Sequence, residues 1–242
     1  MKRSVRFSPL IPIIVLFAIS IGFKHPGSRA ATPLNGAWEW QDTTGEHLLI
    51  FTDSYYTNTA YSKSNKHFIH SYGGVYRVQA NQLTTTIEYH TQLKDQVGQT
   101  QQLNYAIEDD KLMVSGIAVS AKRLDDGSGQ LAGTWRIFGR MQEGKMSTIE
   151  GGPRKTLKIL SGTRFQWVAI NPEAREFFGT GGGAYAFVNG KYTETIDFFS
   201  RDSSRVGISL SFDGRVENDQ WHHSGQSSKG EDIHEIWSKV GE

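Results

Sequence analysis

The chain has 242 residues, 26 of them basic and 25 acidic, for a formal net charge of +1, and it contains no cysteine. That balance leaves no basic footprint of the kind that nucleic acid selects. Without cysteine there is no disulfide framework and no lipid-modified N-terminal Cys, so each domain is held by its own core.

In chain order, the first segment is MKRSVRFSPLIPIIVLFAISIGFKHPGSRAATP, which reads as a secretory signal peptide. Lys2, Arg3 and Arg6 form the charged region, Pro9 to Phe23 a short apolar run, and Ser28 and Ala30 supply small residues for cleavage before Ala31. The apolar run has 15 residues, short of the roughly 20 that a membrane helix needs. An uncleaved anchor is the alternative. Removing residues 1–30 takes five of the 26 basic residues and no acidic one, leaving 21 against 25, a net charge of −4. The expected product is a mildly acidic protein in the periplasm or outside the cell, with no stable membrane insertion after cleavage.

The remainder contains one unit twice. Shifted by 109, residues 47–116 lie on 156–225 without a gap, with 16 of 70 positions identical. Gly73, Gly74 and Tyr76 match Gly182, Gly183 and Tyr185, and KLMVSG falls on QWHHSG. Upstream, LNGAW (34–38) matches LAGTW (131–135) with a shift of 97, so the second copy carries 12 extra residues, including GKMSTIEGGPRK, after its first strand. The division is a first unit over 31–123, a linker LDDGSGQ over 124–130 and a second unit over 131–242. The insertion, with Gly144, Gly151 and Gly152, is expected to form a mobile flap over one barrel end.

Each unit reads as about eight short strands. In the second copy they fall near 133–141, 156–161, 164–171, 177–188, 191–200, 205–216, 220–226 and 232–240. Asn189-Gly190 between two alternating runs has the chemistry of a type I′ hairpin turn. Asp213-Gly214 resembles another, but its first-copy match Asn104-Tyr105 does not form turns. The shared turn is therefore expected at Glu217 to Gln220, matching Glu108 to Lys111. Eight strands with hairpin-length loops and no helical period predict an all-β protein of two tandem up-and-down barrels; a sandwich is the alternative. The GTGGG run (179–183) precedes alternating AYAFV rather than a helix, so it does not fit a dinucleotide fingerprint. Those glycines are expected to permit a bulge or a strong bend. No cofactor is indicated.

Gly36-Ala37-Trp38 and Gly133-Thr134-Trp135 resemble the Gly-x-Trp of lipocalin and calycin barrels, in which that Trp plugs the closed end. Together with GGGAY, NGKYTETIDFF, WHHSG and EIWSKV, the second copy resembles an uncharacterised lipocalin-like family of secreted bacterial proteins; the first copy does so more weakly. The resemblance implies a fold and a compartment and brings no activity with it.

Side chains alternate across a strand, so the apolar set marks the interior. On strand five, Leu83, Thr85, Ile87 and Tyr89 are assigned inward, which transfers to Tyr192, Glu194, Ile196 and Phe198. On strand six the inward set is Val206, Ile208, Leu210 and Phe212. On strand seven, Trp221 and His223 point in and His222 points out; strand eight is ambiguous around Trp237. The second copy thus places Glu194 and His223 inside where the first has Thr85 and Val114. A buried carboxylate needs a partner, and a few polar groups among aromatics are what small-molecule sites look like. The candidate ligand-binding set is Trp135, Trp167, Tyr185, Tyr192, Glu194, Trp221 and His223, and the expected ligand is a small hydrophobic or aromatic molecule.

Three readings stay open: a binding module, a barrel isomerase or hydrolase using Glu194 and His223 as an acid–base pair, and a non-catalytic envelope interaction protein with filled barrels. Adjacent His222 and His223 face opposite ways and lack a third ligand at a recognisable spacing, so no metal is expected. His47, His67, His70 and His90 are assigned to loops or outer faces.

Overall fold

A computed structural model describes residues 32–115, 120–142 and 144–241; the expected signal peptide lies outside the described residues. The strands of the first unit are β1 (Gly36–Gln41), β2 (Glu46–Phe51), β3 (Tyr55–Ser62), β4 (His67–Gln79), β5 (Gln82–His90), β6 (Thr100–Glu108), β7 (Lys111–Val114) and β8 (Ala121–Asp125). They pair antiparallel in sequence order, and β8 closes on β1. The second unit has β9 (Gly133–Gln142), β10 (Lys145–Thr148), β11 (Lys155–Leu160), β12 (Arg164–Asn171), β13 (Glu176–Val188), β14 (Lys191–Phe199), β15 (Ser209–Glu217), β16 (Gln220–Gln226) and β17 (Asp232–Lys239). Here β17 closes on β9, with β10 appended to the far end of β9. The protein is all-β, with two closed antiparallel eight-stranded barrels in tandem. Among the described residues no helix is long and apolar enough to cross a membrane.

The turn chemistry acts as expected. Asn189 and Gly190 take positive φ (51° and 75°), as do Asn218 and Asp219 and the matching Asp109 and Asp110, while Asp213-Gly214 runs straight through β15. The sixth strand of the second unit starts at Ser209, not 205, because a 3₁₀ turn at Ser203–Arg205 and the positive φ of Gly207 (92°) intervene.

Both Gly-x-Trp tryptophans are buried, and each indole N–H donates to the carbonyl four residues earlier, Trp38 to Leu34 (2.9 Å) and Trp135 to Leu131 (2.8 Å). Arg123 lies over the Trp38 ring at 3.9 Å.

The glycine cluster answers to close packing. The β13–β14 register slips between Gly182 and Gly183, and β4–β5 slips at the matching Gly73 and Gly74. A Cβ on Gly183 would stand 2.1 Å from the Thr195 carbonyl oxygen, and one on Gly182 would stand 2.5 Å from the Phe165 oxygen. Only glycine admits these approaches. The slip has a consequence that alternation misses. Glu88 and Asp197 become the extra residues of a bulge, so Tyr89 and Phe198 leave the interior. Both were assigned inward; both instead enter a core between the barrels.

That core contains Ala37, Leu48, Ile50, Tyr55 and Tyr89 from the first barrel and Leu157, Ile159, Val168, Ile170 and Phe198 from the second. Strands β4 and β14 lie against each other, as do β5 and β13. At the centre is Gln166, fully buried. Its Nε2 lies 3.0 Å from Ser71 Oγ, 3.2 Å from Tyr89 Oη and 3.0 Å from Thr180 Oγ1, and its Oε1 accepts from Thr59 Oγ1 at 2.9 Å. A buried amide so fully matched costs little and fixes the docking geometry. Ion pairs flank it: Lys155–Glu88 at 2.8 Å and Lys63–Asp197 at 2.5 Å.

Leu124 and Asp125, the first two residues of the linker segment, belong to β8. The Asp125 carboxylate accepts from Ser161 Oγ, the Gly162 and Thr163 N–H groups and Thr163 Oγ1, at 2.7–2.9 Å, clamping the linker to the β11–β12 turn. Those hydrogen bonds hold its carboxyl below the usual carboxylate range although burial acts to raise it.

Candidate ligand site in the second barrel

Strand β11, KTLKIL, is buried on both faces. Leu157 and Ile159 point into the core between the barrels, so Lys158 and Leu160 point into the second barrel. Lys158 is therefore an ammonium placed inside, 6% exposed. It sits opposite Trp135 in the β9–β11 ladder. Rings surround it: its Nζ is 4.8 Å from the centre of Tyr192, 5.0 Å from Trp221 and 5.5 Å from Trp237. Such faces attract a cation, and the counter-charge is Glu194, whose Oε2 is 3.5 Å from Nζ.

His223 projects from β16 into the same space and is 2% exposed. Its ring packs 4.1 Å from that of Phe212. Burial first, then the Lys158 charge, holds it well below the ordinary histidine range, so the imidazole is neutral at pH 7. Its nearest carboxylate is Glu235 on β17, at 3.8 Å, which is itself held by Arg140 at 3.0 Å. Glu194 and His223 thus share one interior without pairing with each other: the carboxylate takes Lys158, and the imidazole faces Glu235. The Tyr192 hydroxyl is pushed well above its ordinary range, by burial and then by the Glu194 charge.

These groups border a cavity of about 320 Å³. Trp167, Glu194 and His223 of the candidate set line it. Trp135, Tyr185, Tyr192 and Trp221 pack in the apolar cluster behind it. Among the groups that reach it and were missed are Lys158, Arg201, Glu235 and Trp237, the last resolving the ambiguity of strand eight. Lys158 had a signal in the repeat, since it interrupts an apolar strand at the position of Leu49. Several buried polar atoms here have no hydrogen-bond partner, among them Glu194 Oε2, both His223 ring nitrogens and Trp237 Nε1. Leaving such groups unmatched is costly; of these atoms, Glu194 Oε2 keeps the Lys158 ammonium at 3.5 Å.

Lys145–Thr148 of the insertion form a strand. That strand completes the β9–β10 hairpin, and Ile149 N–H donates to the Phe138 carbonyl at 2.7 Å beyond it. His47, assigned to an outer face or loop, is 7% exposed, stacks on Trp40 at 4.6 Å and pairs with Asp42 at 3.0 Å. Among the described residues no three His, Asp or Glu side chains are grouped to hold a metal ion.

No protein-family model matches the sequence, and no curated protein resembles it closely enough to count as a relative.

Proposed function

We propose that the second barrel is the ligand-binding centre of an exported tandem-barrel protein and holds one small, largely aromatic molecule. The observation that carries this reading is the Lys158–Glu194 pair with neutral His223, walled by aromatic rings and bordering the 320 Å³ cavity. The guest has an apolar body for Trp167, Phe212 and Trp237. Its polar end offers an acceptor to Lys158 and a donor to Glu194. Export is supported by the charged, apolar and small-residue order of residues 1–30.

The test is native mass spectrometry of the protein purified from its own host. A co-purifying small molecule is expected, retained by Thr85→Val in the first barrel and lost from Lys158→Met and Glu194→Gln. A protein that carries no guest, or that keeps its guest in both second-barrel variants, would sink the reading. A neutral imidazole with two unpartnered ring nitrogens also suits proton transfer. Conversion of the guest on incubation, abolished by His223→Gln, separates an enzyme from a carrier.

A further inference from the structure

The first barrel has its own cavity, of about 190 Å³, and its chemistry is different. Leu49, Phe51, Tyr56, Leu83, Leu103 and Val114 form its apolar wall. Among the described residues no charged side chain lines it. Asn58, on β3, is 4% exposed and lines the cavity beside Tyr72. Asn58 Nδ2 donates to Tyr72 Oη at 2.8 Å, while Asn58 Oδ1 is buried with no hydrogen-bond partner. The pair therefore leaves unused the amide oxygen as an acceptor and, as donors, the tyrosine O–H and the second Nδ2–H. A buried amide left half-matched is costly, and a group that both gives and takes a hydrogen bond removes the cost. A hydroxyl does both. A space slightly larger than the roughly 150 Å³ known to take a benzene ring fits one substituted ring.

We infer that the first barrel is a second, independent binding site, for a neutral single-ring molecule bearing one hydroxyl, such as a phenol. The hydroxyl donates to Asn58 Oδ1 and accepts from Tyr72 Oη, and the ring lies against Leu49, Leu83 and Val114. An anionic ligand is disfavoured, because among the described residues no cation lines the cavity. The inference does not depend on what the second barrel holds.

The experiment titrates the full chain with p-cresol, toluene and p-toluate by isothermal calorimetry. It also records NOEs from bound cresol to the methyl groups of Leu49, Leu83 and Val114. Cresol is expected to bind more tightly than toluene, and p-toluate not to bind in this barrel. Asn58→Leu should weaken cresol about tenfold and leave toluene unchanged or tighter. Val114→Phe, which fills the space, should abolish the NOEs to Leu49 and Leu83 and the binding event they mark, for cresol and toluene alike. Thermal unfolding checks that each variant is folded, and the NOEs locate cresol without any variant. Three results would overturn the inference: no cresol binding at millimolar concentration, NOEs only to Leu210 and Ile233 of the second barrel, or NOEs to Leu49 and Leu83 that persist in Val114→Phe.

Discussion

Leu48 and Leu157, Ile50 and Ile159, and Phe68 and Phe177 occupy matching positions in the two barrels and are identical; all six pack into or against the core between them. Leu49 and Lys158, Thr85 and Glu194, and Val114 and His223 also match in position, and they share no chemistry. The first group faces the other barrel, and the second faces a barrel interior. On β2 and β11 the two constraints alternate residue by residue along one strand. Shape on the outer face has to suit a fixed neighbour. The inner face meets no such neighbour, and there the copies have separated into a neutral interior and a charged one.

The sharpest way to break this contrast is to move the charge. Leu49→Lys in the first barrel buries an ammonium with Thr85 where the second barrel has a carboxylate. It is expected to cost about 3–5 kcal/mol in urea unfolding. Adding Thr85→Glu should recover part of that. In the second barrel, Lys158→Met strands Glu194 at a similar cost, and Lys158→Met with Glu194→Gln should restore most of it. A Leu49→Lys protein as stable as wild type would show that the carboxylate is not what permits the buried lysine.

A second matched pair tests the shared face. Gln166→Ala leaves Thr59, Ser71 and Tyr89 short of a partner and is expected to lose roughly 2–3 kcal/mol. The first-barrel match of Gln166 is Thr57, whose buried hydroxyl has no partner. Thr57→Val should therefore change stability by less than about 1 kcal/mol. Equal losses in the two would mean that the Gln166 network is not the central tie.

A third comparison uses pH. His223 is neutral in the fold because its native pKa is depressed, whereas the unfolded chain titrates near 6.5. Its contribution is complete above about pH 6.5 and is lost as pH falls from there towards the native value, at up to about 1.4 kcal/mol per pH unit. His70, His90 and His222 are also lowered, each mainly by burial, and act in the same direction. His223→Val, which installs the first-barrel residue, should flatten unfolding free energies measured between pH 7.5 and 5.0 without abolishing the slope. An unchanged slope would place the acid sensitivity elsewhere.

The smallest effect is expected from cutting the chain near Gly127–Gly129. With Asp125 clamped to the β11–β12 turn and a shared core beside it, the halves should elute together and unfold in one transition. Separation into two folded fragments would show that the interface is weak.

Strand boundaries were legible because hairpin turns need particular residues: Asn-Gly at 189–190 and the acidic or amide pairs at 109–110 and 218–219 mark them by backbone conformation alone. Glu194 and His223 were legible as inward because period-two alternation holds as far as Ile196. Beyond that it fails. The bulge at Asp197 is specified by glycines on the neighbouring strand, so nothing local to TIDFF reveals that Phe198 has changed face. The contact between barrels was hidden for a related reason. LLIF on β2 is apolar on both faces, a pattern that means two buried surfaces without naming the second one. Lys158 was hidden inside the same kind of run.

The contact itself implies a history of symmetry. Strand β4 against β14 and β5 against β13 are the same pairing made twice, since each copy supplies both members. A surface that fits its own duplicate in this way is isologous, the geometry of a two-fold dimer. Joining two such subunits in one chain makes their encounter intramolecular, so the association no longer depends on protein concentration. It also removes a restriction that every homodimer carries. Two separate identical subunits must have identical interiors, whereas a fused pair keeps the common face and can give each half a different guest.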